Sequence, residues 1–340
     1  MDYLDQSGQV IATQDYPGTA GQTTEIELSA SGVHAVRVRL YSGNVLSLAE
    51  VELWGNPVNG TVTPTTGSTG TLATPGAAPV IADQVTVSQP NSATWHAVAF
   101  DQAFGRVPTV VMGPPSYNGA QPTAVRVRNV TRSGFEFKID EWDYLDGGHI
   151  TETLAYLAVT PGVHDWNGMR VEAGQVDGVA DGWSSVNYSG AFAGAPVVLS
   201  QQVSDNGAQT TTTRLRNSTA SGFQLRVQAE EANGSSPQEQ VHYIAISAGD
   251  SSLAESGAPV SAGFTGNFVT HDWHGQNFGR NFSAPLVFAD MQTFDGPDPA
   301  ALRYTNVSAS SVDLKVEEEQ SRDEEVRHTT ENVGWVVFGQ

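Results

Sequence analysis

Between Asp140 and Ile150 the chain reads "DEWDYLDGGHI", which sets an indole, a phenol, an imidazole and several carboxylates close together. Trp142 ends a strand-like pattern on its polar side, where an indole has no core to fill. An exposed indole offers a rigid apolar face with a polarised quadrupole, suited to the C–H face of a sugar ring. Asp143, Asp146 and His149 would then supply hydrogen bonds to ring hydroxyls, with Tyr144 as a third wall. A tryptophan that packs an interface is the equal alternative on these residues alone. Catalytic chemistry is harder to build. Carboxylates are plentiful but scatter over surface strands without defining a common cleft. There is no G-x-S-x-G elbow, H-E-x-x-H pair or phosphate-binding loop. The acid runs "DEWDYLDGG", "TFDGPDP" and "EEEQSRDEE" lack the spacing of a recognised calcium loop, so weak calcium binding is the most they suggest. Non-catalytic binding without a cofactor is the expectation.

The totals narrow the partner. Of 340 residues, 37 are acidic and 16 basic, giving a formal charge of −21. Such a surface repels nucleic acid and anionic membranes, whose recognition depends on neutralising phosphates. Cysteine is absent, which excludes disulfides and thiolate metal sites. No stretch approaches the roughly 20 apolar residues of a membrane helix, so no membrane insertion is expected. The start, "MDYLDQSGQV", shows no secretory signal; we expect a chain truncated at its front, exported and extracellular or at a cell surface.

The elements that must position these residues come in repeats. "WHAVAFDQAFGRVP" from Trp95 recurs as "WSSVNYSGAFAGAP" from Trp183 and "WHGQNFGRNFSAP" from Trp273. The tryptophans stand about 90 residues apart, the signature of repeated structural units. "VRVRNVTRSGFEF" from Val125 recurs as "TRLRNSTASGFQL" from Thr213 and, degraded, as "LRYTNVSASSVDL" from Leu302. Each copy closes on an apolar run: "AYLAV", "HYIAI" and "GWVVF". Within the hairpins, Phe135, Phe137 and Ile139 alternate with Glu136, Lys138 and Asp140, as in antiparallel strands with one buried face. Gly134 and Gly222 are read as turn residues with positive φ. Each unit is therefore expected to be an antiparallel β-sandwich of about six strands. The three span 80–162, 163–250 and 251–340, after a Thr/Gly/Pro linker at 57–79. Trp95, Trp183 and Trp273 are read as core, as are Trp335, Tyr156 and Tyr243. Arg126, Arg214 and Arg303 share a column facing away from their own cores, with cross-strand partners such as Asp140 and Glu317; lining a local threefold axis or meeting an acidic ligand is the alternative. Asn129, Asn217 and Asn306 share a turn column as Asn-x-Thr/Ser, a residue order the turn itself favours.

Two resemblances follow from these motifs. "VRVRL" at Val36–Leu40 and "LSLAEVELWG" at Leu46–Gly55, with "YLDQSGQVIAT" before them, resemble the closing part of a discoidin domain. Residues 1–56 would then form a partial β jelly-roll fragment, without the front loops that carry that family's sugar and cation sites. The three units resemble H-type lectin domains, through "WHAVAF…P", "NVTRSGF", "DEW" and "AYLAV" in the first. That resemblance implies binding of galactose or N-acetylgalactosamine-type glycans. The family forms trimers of identical chains, so it also implies a single-chain pseudo-trimer, multivalent through its three copies. The family's sugar is held by an Arg, a Trp-His pair and a Tyr, completed by an Asp from a neighbour. Trp142 matches the Trp and Asp143 stands at the His, while Tyr144 is offset from the Tyr and Pro122 replaces the Arg. The neighbour's Asp falls on Gln89, Asp177 and Asn267, so only Asp177 keeps it. Glu230 and Glu319 replace the Trp in the other units. The expected site is thus Trp142, Asp143, Tyr144, Asp146, His149 and Asp177, with a glycan or polysaccharide as partner. The competing reading is a structural or assembly module of a surface fibre, adhesin or phage tail fibre.

Overall fold

The computed structural model describes residues 80–339 other than 233 and 255, and the backbone of three short N-terminal strands. These strands, β1 (Asp2–Leu4), β2 (Val10–Thr13) and β3 (Ala35–Arg37), form an antiparallel sheet in the order β2-β1-β3. The rest of the discoidin-like stretch and the 57–79 linker lie outside the described residues. The chain divides after Leu72 into two compact units.

The larger unit contains strands only, among the described residues. A first group comprises β4 (Val80–Gln89), β5 (His96–Ala99), β6 (Thr109–Met112), β7 (Thr123–Thr131), β8 (Gly134–Glu141) and β9 (His149–Val159). A second comprises β10 (Gly162–Trp166), β11 (Met169–Val179), β12 (Ser184–Asn187), β13 (Val197–Gln202), β14 (Thr211–Arg216), β15 (Gly222–Ala229) and β16 (Glu239–Ile246). The third comprises β17 (Gly249–Ser252), β18 (Pro259–Val269), β19 (His274–Asn277), β20 (Leu286–Met291), β21 (Ala300–Thr305), β22 (Ser311–Glu318) and β23 (Glu331–Phe338). The sheets β4-β9-β6 and β5-β8-β7 of the first group reappear as β11-β16-β13 and β12-β15-β14, then as β18-β23-β20 and β19-β22-β21. β10 and β17 each extend one sheet at its edge.

The two sheets of a group face each other across an apolar layer. In the first, Val98, Phe135, Phe137 and Ile139 meet Val110, Leu154 and Tyr156. Alternation alone would leave the back of the β4-β9-β6 sheet wet, yet β9 is apolar on both faces, and so are β16 and β23. A strand with two buried faces reads as a continuous apolar run. The second faces converge: Val111, Leu157 and Val159 join Val197, Leu199, Ile244 and Ile246, and these join Leu286, Phe288, Val336 and Phe338 in one shared core. The three groups therefore do not hang as separate beads.

The hairpin turns correct one expectation. Left-handed backbone falls on Asn129, Asn217 and Asn306, with φ of 51°, 53° and 51°. Each of these side chains bonds a residue on the returning strand: Glu136, Gln224 and Asp313. Gly134 keeps a positive φ of 158° while Gly222 has none; what the two share is close approach. A Cβ at Gly134 would stand 2.1 Å from Val98 O, and one at Gly222 2.2 Å from Val186 O.

Candidate functional site

Where the groups meet, each donates one arginine to the next. Arg126, Arg214 and Arg303 are at most 1% exposed, although they leave their own sandwiches. Arg126 bonds Asp205 Oδ1 at 2.8 Å, Gly207 O at 3.0 Å and Gln209 O in the second group. Arg214 bonds Asp298 O at 2.9 Å, Gly296 O and Glu331 Oε1 at 2.8 Å in the third. Arg303 closes the circuit by bonding Ser116 O, Gly119 O, Gln121 O and, at 2.8 Å, Glu152 in the first. The expected cross-strand pairs exist for Arg126 with Asp140 and Arg303 with Glu317, but the larger share of each guanidinium serves the neighbour.

Two of these seams bury a histidine as well. His149 lies between Glu141 (2.9 Å) and Glu152 (3.1 Å), and His328 between Glu318 (2.6 Å) and Glu331 (3.1 Å). Burial alone would lower both histidines, yet the flanking carboxylates outweigh it and hold them above the usual imidazole value. Burial would likewise raise Glu152 and Glu331, but hydrogen bonds and the arginine charge bring both below the usual value.

Beside each arginine stands a repeated tryptophan, and here the sequence reading is corrected. Trp95 and Trp183 are half-buried and Trp273 is 40% exposed. They sit just before the short strands β5, β12 and β19 at the sandwich rim, so they miss the core. Cations cover part of each: Arg128 lies 4.0 Å from the Trp95 ring centroid, Arg216 4.0 Å from that of Trp183, and Lys315 5.2 Å from that of Trp273. The neighbouring group supplies the other wall. Phe294 meets Trp183 edge-on at 5.1 Å, and Tyr117 meets Trp273 edge-on at 5.3 Å. At Trp95 the equivalent wall is Asp205, and a groove of about 520 Å³ opens there, lined by Ser92, Trp95, Arg126, Arg128, Lys138 and Asp205–Ala208.

The residues expected to form a sugar site are arranged differently. Trp142 is 0% exposed, so its faces are not available for stacking. The residues that follow it bond the other two groups. The carboxylate of Glu230 accepts from Asp143 N at 2.6 Å, and that of Glu319 from Glu231 N at 2.9 Å. The third acceptor in this ring would be residue 142, and an indole cannot accept. Tyr144 Oη takes the bond from Gln320 N at 3.1 Å instead. Tyr144 is 38% exposed but fixed by this contact. Asp143 is exposed and accepts from Thr210 N and Oγ1. Asp146 accepts from Gly148 N. His149 is fully committed to its two carboxylates and cannot serve a hydroxyl. Asp177 is exposed and accepts from Gln240 within its own group; no contact among the described residues joins it to Trp142.

Comparisons with known proteins agree with the sugar-binding class. Residues 95–159 match the H-type lectin domain family. That family binds carbohydrate and is not enzymatic. The chain is also similar to Halomucin of Haloquadratum walsbyi (strain DSM 16790 / HBSQ001), at 27% identity over 299 residues. The match covers 83% of this chain and 3% of that protein. No solved structure matches.

Proposed function

We propose that the chain is a non-catalytic glycan-binding module, with H-type lectin domain architecture extended to all three groups. The sugar stations we assign are the seams at Trp95, Trp183 and Trp273. One observation carries this: three half-buried to exposed indoles recur at equivalent rim positions, each beside a cationic side chain of its own group and a residue of a second group, Asp205, Phe294 or Tyr117. An indole so placed gives a pyranose an apolar floor, and the flanking cations with the adjoining loop give it walls. Three stations on one rigid body would make weak single contacts cooperate on a repeating glycan. An extracellular or cell-surface setting, where glycans are met, fits this reading. The small fraction of Halomucin spanned by the match supports a module within a much longer protein.

A glycan array probed with the intact chain tests the proposal. Binding of galactose-type or related glycans is expected, reduced at least about tenfold in avidity when Trp95, Trp183 and Trp273 are all replaced by alanine. An array on which wild-type and triple variant are indistinguishable would refute it.

A further inference from the structure

The three stations share a frame and differ in charge. At Trp95 the cations are matched. Lys138 pairs with Asp140 at 2.8 Å, and Arg128 pairs with Glu136 at 2.7 Å and Asp205 at 3.5 Å. At Trp273 the single cation, Lys315, pairs with Glu317 at 3.1 Å. At Trp183 two cations are retained and the carboxylates are gone: the positions of Glu136, Asp140 and Asp205 carry Gln224, Gln228 and Phe294. Arg216 Nε donates only to the neutral Gln224 Oε1, at 2.9 Å. Arg226 lies between the two rings, 5.6 Å from Trp183 and 5.5 Å from Phe294, and its Nε has no hydrogen-bond partner. Neither arginine is within ion-pair distance of a carboxylate among the described residues. Asp181 acts on Arg226 electrostatically from further off and is engaged by Ser236 N, while Arg214 pairs with Glu331.

An uncompensated arginine pair on a chain of charge −21 is against the general trend of its surface. Guanidinium forks match the planar or tetrahedral oxygens of carboxylate and sulfate, and they keep their charge when partly desolvated. Resting on aromatic faces orients them while leaving donors free. We infer that the Trp183 station takes an anionic saccharide, with a sulfate or carboxylate held by Arg216 and Arg226 while the sugar ring lies against Trp183. The other two stations, with their cations neutralised, take uncharged sugar. This inference rests on the carbohydrate reading and sharpens it into a division of labour among equivalent sites.

The test measures binding of the intact chain to three matched probes: a neutral galactoside, its sulfate ester, and a uronic-acid counterpart. The wild type should prefer at least one anionic probe by about tenfold, the scale of one or two charge-assisted hydrogen bonds. Arg216→Gln with Arg226→Gln should abolish that preference, whereas Arg226→Lys, which retains charge, should keep part of it. Which anionic probe wins distinguishes sulfate from carboxylate recognition. A wild type without anion preference, or a double variant that retains it, would overturn the inference while the carbohydrate reading stands. A wild type that binds none of the three probes would overturn both.

Discussion

Trp142 and Trp183 hold opposite places in one architecture. Trp142 is fully enclosed, next in the chain to Asp143, whose N–H is accepted by Glu230 of the second group, as Glu231 N is by Glu319 of the third. Trp183 stands at a seam's rim, half-buried, flanked by arginines and by a phenylalanine from the next group. Trp142 is enclosed beside residues that bond the other groups, whereas Trp183 remains available at the rim. The difference teaches that a shared boundary has an inside, which sets stability, and a rim, which is free for recognition.

This contrast breaks first at the clamps that create it. Arg303→Met removes one of two cationic partners from each of Glu152 and Glu317, leaving His149 and Lys315, in a region with little solvent to take up the charge. Breaking a buried pair this way costs about 3–5 kcal/mol, so calorimetry should show a fall in Tm of roughly 10 °C at the scale of 2–4 °C per kcal/mol. Trp142→Ala opens a cavity where the three groups meet and should cost about 3–5 kcal/mol. In the fraction that remains folded, glycan binding should persist. A Trp142→Ala variant with unchanged Tm but lost binding would exchange the roles assigned to the two indoles.

The pH dependence sharpens the comparison between seams. A histidine raised above its ordinary 6.5 contributes stability that is complete below that value and is lost as pH rises through the folded value. Glu152 and Glu331, lowered from 4.5, contribute stability present above that value and lost as pH falls through the folded one. The contribution of these four groups should therefore be greatest between about 4.5 and 6.5 and decline on either side. The second group has Ser236 where the others carry His149 and His328. Replacing both histidines with Gln should flatten the alkaline decline in thermal melts followed across pH; an unchanged profile would show that the decline has another source. The smallest effect is expected at the rim. Trp183→Ala removes a cation–π contact and an edge-on aromatic pair, about 1–2 kcal/mol together, and should shift Tm by only a few degrees.

Much of the frame was legible in the residues. Alternation in Phe135–Ile139 and its counterparts gave the hairpins, and the recurrent Trp, Arg and closing strands fall at corresponding places in sheets of repeated strand order. The continuous apolar runs ending at Val159, Ile246 and Phe338 also carried a signal, since one-sided strands would have alternated. The site was less legible because its walls come from different groups. Trp142 sits on a strand's polar side, and only the other two groups turn that side inward. Trp95, Trp183 and Trp273 repeat as a core residue would, but they fall just outside the sandwich. The missing clue was compensated substitution: the loss of Glu136, Asp140 and Asp205 equivalents around Arg216 and Arg226 becomes meaningful once β12, β15 and the Phe294 loop are seen together.

The most direct test of sugar recognition at the seams is a crystal structure of the chain with a saccharide selected on the array. The account predicts a pyranose ring lying against Trp95, Trp183 or Trp273 and bonded to the loop of the adjoining group. A saccharide bound beside Tyr144 and Asp143, or away from all three seams, would contradict it.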